Sequence, residues 1–82
     1  MSIPTTARAA TTLVKQTLTG IDGIRTVHTD WCTDALSTTV HLTTDADGPH
    51  VLTFLAGAFE DVEVKGYLAS RFIGIGFPRP SR

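Results

Sequence analysis

His28, Asp30 and His41 are the residues whose types and spacing come nearest to a reactive site. If Thr26 to Trp31 and Leu36 to Thr43 pair as a hairpin with Trp31 opposite Leu36, His28 and His41 become diagonal neighbours on one face. Their Cα atoms would then stand roughly 7–8 Å apart, with Asp30 two residues from His28. Two imidazoles and a carboxylate suit a zinc ion with one position left open. No CxxC or HxxxH spacing supports such a site, and His50 belongs to another segment. Two surface histidines among threonines is the plainer account. The expectation is no metal, with His28, Asp30 and His41 as weak candidates.

The remaining chemistry is thinner. A reactive Cys32 would need a cationic neighbour or a helix N-terminus, and its nearest charges in sequence, Asp30 and Asp34, are acidic. Ser37, Ser70 and Ser81 lie in no nucleophile-elbow pattern. The carboxylates of Asp45 with Asp47, and of Glu60 with Asp61 and Glu63, would need burial to act as an acid–base pair. They stand instead in turn-like positions. Gly74-Ile75-Gly76 is a bare GxG inside an apolar run, without the third glycine or the following helix of a phosphate-binding loop. No catalytic residue and no cofactor is expected.

The elements that position these residues can be read from periodicity. Ala7, Ala10, Val14, Leu18 and Ile21 form one stripe at helical spacing, which predicts a helix over 5–19. Thr5 or Thr6 would cap it, and Gly20 would end it. Ile21-Asp22-Gly23 then turns into the hairpin, whose loop is Cys32-Thr33-Asp34-Ala35. Opposing Val27 to Val40 and Thr29 to Thr38 places Val27, Trp31, Leu36, Val40 and Leu42 on one face. Thr26, His28, Asp30, Ser37, Thr39, His41 and Thr43 take the other.

Asp45-Ala46-Asp47-Gly48-Pro49 ends the hairpin. Val51, Phe54, Leu55, Ala58, Phe59 and Val62 follow at i, i+3, i+4, i+7, i+8 and i+11. This predicts a second helix, capped by Asp47, with Gly57 as its weak point. A third strand over 50–56 is the rival reading. Val62 to Phe77 reads as extended, with a break at Gly66 that would make two strands of it. Ile73, Ile75 and Phe77 point one way, while Phe72, Gly74 and Gly76 point the other. Glycines on one strand face suggest that another backbone or a helix lies close there.

Residues 78–82, with two prolines and two arginines, are expected to be an extended tail on a domain spanning 1–77. The expected fold is α+β, order α-β-β-α-β(β), with helices on one face of a mostly antiparallel sheet. Its expected core is Val14, Leu18, Val27, Trp31, Leu36, Val40, Leu42, Val51, Phe54, Leu55, Phe59, Ile73 and Ile75.

Eighty-two residues with one cysteine give a small core and no internal disulfide. The single cysteine and the absence of a visible signal peptide suggest a cytoplasmic protein or one assembled in a particle, and no apolar stretch is long enough to span a bilayer. Charge is unevenly spread. Between Thr26 and Val64 there are seven acids and no Lys or Arg, and from Lys65 onward there are four basic residues and no acid. Such polarity fits contact between one molecule's acidic region (Asp45, Asp47, Glu60, Asp61) and another's basic one (Lys65, Arg71, Arg79, Arg82).

The expected function is therefore non-catalytic: a protein-interaction or assembly module that binds a protein partner or copies of itself. A virion or tail component and an inhibitor of a larger protein both fit. A nucleic-acid-binding regulator is the alternative. With a third strand over 50–56 and a helical last segment, the order resembles the double-stranded-RNA-binding topology. That topology needs a basic cluster at its second helix, which this chain does not have. A metal-binding or enzymatic protein using the hairpin histidines is the second alternative.

Overall fold

A computed structural model describes residues 4–32 and 35–78, the side chain of Cys32 excepted. Helix α1 spans Ala7–Thr17 and begins where Thr6 accepts a hydrogen bond from the Ala9 amide at 3.0 Å. It is shorter than the stripe suggests. Leu18 is its C-cap, and Gly20 turns the chain with φ +89°, a conformation glycine takes without strain. Strands β1 (Ile24–Cys32) and β2 (Ala35–Leu42) follow. Helix α2 spans Gly48–Ala58; the Asp47 carboxylate accepts from the His50 amide at 3.1 Å, and Pro49 sits in the first turn, where its missing N–H costs nothing. The helical reading of this segment holds and the third-strand reading falls. Strand β3 (Glu63–Tyr67) leads through a short 3-10 turn, Leu68–Ser70, into β4 (Phe72–Pro78).

All three ladders are antiparallel and the strand order is β1-β2-β4-β3. The fold is the expected small α+β domain, with the second extended segment split into two strands. Two α-β-β units are thus laid head to head, with their second strands, β2 and β4, side by side at the centre. In the β1–β2 hairpin the observed pairs are Val27 with Val40, Thr29 with Thr38 and Trp31 with Leu36, as alternation requires. The break between β3 and β4 falls at Leu68–Arg71 rather than at Gly66. Arg71 closes it in the left-handed region, φ 59°. Gly66 lies inside β3 and answers a different need: a Cβ there would stand 2.7 Å from Leu52 Cδ2 of α2.

Both helices cover the same face. Ala10, Val14 and Leu18 of α1 and its end, and Val51, Leu55 and Phe59 of α2 and its end, close over Leu36, Val40, Leu42, Ile73, Ile75 and Phe77. Two expected core residues are outside it. Phe54 is 38% exposed, because α2 is rotated to seat Leu52 on Gly66, which turns the Phe54 position outward. Trp31 takes the helix-facing side, but it is next to last in an edge strand and stays 54% exposed. Val27 is half-buried against the core.

Phe77, which is not in the expected core although it shares a strand face with Ile73 and Ile75, is fully buried. Strand β4 even includes Pro78, which pairs with Ala35. The β3–β4 ladder already stops at Gly76, so on that side the proline has no neighbouring strand to serve.

Two threonines belong to the core. Thr11 Oγ1 donates to Thr29 Oγ1 at 2.6 Å, and the Thr29 and Thr38 hydroxyls are 2.8 Å apart. Thr38 has no exposed surface. The chain of three hydroxyls ties α1 to β1 and β2, and its middle member serves both neighbours. Thr29→Val is therefore expected to cost about 1–3 kcal/mol by orphaning the Thr38 hydroxyl. Adding Thr38→Val should recover part of that loss. Urea unfolding of the two singles and the double checks this, and strictly additive losses would contradict it.

Candidate interaction surface

The sheet face away from the helices is open, and the register sets its side chains in rows. Asp30, Ser37, Gly76 and Glu63 form one row, His28, Thr39, Gly74 and Lys65 the next, and Thr26, His41, Phe72 and Tyr67 the third. Phe72 stacks with Tyr67 at 4.9 Å between centroids and meets His41 at 5.9 Å. Gly74 and Gly76 floor a hollow of about 400 Å³ between these aromatics and the Glu63–Lys65 pair. The close backbone or helix expected over these glycines is not there: a Cβ at either would meet only Tyr67, Lys65 or Glu63 at ordinary contact distance.

His28 and Asp30 do come together, with Nε2 2.8 Å from Oδ2, on exposed surface. His41 shares their face but lies against Phe72. Among the described residues, no three His, Cys, Asp or Glu side chains gather as a metal site requires. Likewise, no helix among them is long and apolar enough to cross a membrane.

The proposed interaction residues separate. Asp47 is occupied as the cap of α2, and Asp45 lies in the turn before it. Glu60 and Asp61 lie past the other end of α2, about 16 Å away by helix rise. Lys65 is in β3 with its Nζ 3.4 Å from Glu63 Oε2, and Arg71 is the left-handed residue of the last turn. Arg79 and Arg82 lie outside the described residues.

The charges that the fold does assemble are others. A groove of about 370 Å³ beside β1 is lined by residues of α1 and β1 alone, among them Arg8, Thr12, Lys15, Val27 and His28. It runs on into a second groove that adds Arg25. Three of the chain's cations therefore flank the free edge of β1. At the opposite edge of the sheet Glu60 and Asp61 are exposed in the turn that feeds β3, and Glu63 opens that strand. Arg8, Lys15 and Arg25 escape notice in the sequence because they are spread over two elements. Only the seating of α1 on β1 unites them.

No family model matches this chain, and neither a curated protein nor a solved structure matches it.

Proposed function

We propose that the chain is a non-catalytic assembly module that associates with copies of itself. The observation that carries this reading is the opposite charge flanking its two sheet edges. Arg8, Lys15 and Arg25 stand beside β1 and Glu60, Asp61 and Glu63 around the start of β3, although β1 also holds Asp30 and β3 holds Lys65. An edge strand presents unpaired backbone donors and acceptors, a ready template for another chain. Proteins commonly guard such edges by charge of one sign or by shortness. Opposite net charge beside the two edges favours head-to-tail encounter between copies. The 54% exposed Trp31 on β1 and the open aromatic row of Tyr67 and Phe72 add apolar surface that a neighbour would cover.

Light scattering over a concentration series tests this reading. Mass should rise with concentration at low salt and fall back toward the monomer near 0.5 M salt, where charges more than about 5 Å apart are screened. A monomer at every concentration in low salt refutes it.

A further inference from the structure

We propose that β3 of one copy adds to β1 of the next as an antiparallel neighbour, so that the sheets join into one continuous ribbon. This rests on the self-association reading and names its geometry. Every ladder in the sheet is antiparallel, so the two outer strands, β1 and β3, run in opposite directions. A second copy set beside the first in the same orientation therefore meets it antiparallel, with all helices on one side. No rotation that breaks the pattern is needed. Because the contact joins two different surfaces, it repeats from copy to copy, closing into a ring where the twist between copies completes a turn and extending as a helical filament where it does not.

Charge disfavours the level register, and the cover of Trp31 chooses between the two slides. With the rows of the two copies level, Glu63 falls beside Asp30 and Lys65 beside His28, acid against acid and base against base. Sliding β3 by two residues sets Lys65 beside Asp30 and Tyr67 beside His28. On the helix side it sets Val64 beside Trp31 and Gly66 beside Thr29. The half-buried Val64 and the exposed Trp31 then cover each other as a cross-strand pair. The opposite slide sets Glu63 beside His28, but it brings Gly66 to the irregular pairing around Arg25 and leaves Trp31 without Val64 as a cross-strand partner.

The helix side agrees. Helix α1 has no acidic residue in its first turn, where an acid would be favourable, and carries Arg8 there. Helix α2 has no basic residue in its last turn and is followed by Glu60 and Asp61, where acids are unfavourable. In the antiparallel arrangement the turn that carries Glu60 and Asp61 and feeds β3 lies at the Cys32 end of the neighbour's β1, the same end at which α1 begins. Each helix end then receives from its neighbour the charge it lacks.

Sedimentation velocity on three proteins tests the inference: the unaltered chain, Glu60→Lys/Asp61→Lys, and Arg8→Glu/Lys15→Glu. Far-UV circular dichroism confirms that each is folded. Each variant carries one sign on both edges and should associate about tenfold more weakly or worse. An equimolar mixture should regain assembly, because each supplies the edge the other lost. Emission of Trp31, the chain's single tryptophan, should shift to the blue on assembly as Val64 covers it.

If the unaltered chain stays monomeric, the self-association reading falls and this inference with it. If the chain associates but the variants associate equally well, or the mixture fails to recover, copies meet elsewhere and only the edge pairing is overturned. Recovery without a change in Trp31 emission overturns the register.

Discussion

Replacing Phe77 with alanine is expected to remove about 3–5 kcal/mol of stability, the usual cost of emptying a fully buried aromatic site. Phe77 has no exposed surface, and its ring meets Phe59 edge-to-face, 5.7 Å between centroids at 85°. That geometry adds about 0.5–1.5 kcal/mol beyond area alone. A domain of this size holds on the order of 4–12 kcal/mol in total, so the variant should lose from about a quarter of that stability to all of it. Chemical denaturation of Phe77→Ala, Phe59→Ala and the double variant gives both the size of the loss and the coupling of the two rings. Phe77→Leu should keep more than half of the stability. A loss below about 1 kcal/mol for Phe77→Ala would mean that β4 does not continue past Gly76 as a core strand.

Gly23→Ala is expected to be almost as damaging, for a different reason. Gly23 has φ +90°, and a Cβ built on it would stand 2.5 Å from Ala46 Cβ and 3.0 Å from Ala46 Cα. Its carbonyl also accepts from the Thr43 amide at 2.9 Å, pinning the turn before β1 to the end of β2. The left-handed conformation costs an alanine about 1–2 kcal/mol, and forced overlap against a backbone atom about 1–3 more. Together they should lower the melting temperature by more than about 10 °C.

Gly20 supplies the control. Its φ is +89°, yet nothing lies within 4 Å of its added Cβ, so Gly20→Ala should cost the conformational part alone. Adding Ala46→Gly to Gly23→Ala should restore part of the loss. Equal melting temperatures for the two single alanine variants would refute the close approach at Gly23.

The particular elements explain what could be read in advance. The β1–β2 register was legible residue by residue, because alternation and a short loop leave few ways to pair Val27 with Val40. The helical period of Val51, Leu55 and Phe59 likewise gave α2 over its strand rival. Thr29 and Thr38 were legible by parity, since they lie between Val27, Trp31, Leu36 and Val40 on the core side. Their hydroxyls hid this, and only a third hydroxyl from α1 makes their burial tolerable.

Phe54 and Leu52 could not be told apart without knowing that Gly66 lies across from them. Nor does anything in Leu68-Ala69-Ser70-Arg71 announce a turn, since the left-handed residue is an arginine. The candidate edges were the least legible of all. Which strands are outermost depends on the order β1-β2-β4-β3, and that follows from long-range pairing rather than local pattern.

The meeting of β2 and β4 at the centre bears on how quickly the native state is reached. The β1–β2 and β3–β4 hairpins join near neighbours in the chain, whereas the central ladder joins Ala35 to Pro78 and His41 to Phe72. Closing that long loop forfeits chain entropy before the core rewards it. The two hairpins should therefore form early, and their mutual capture sets the pace of refolding.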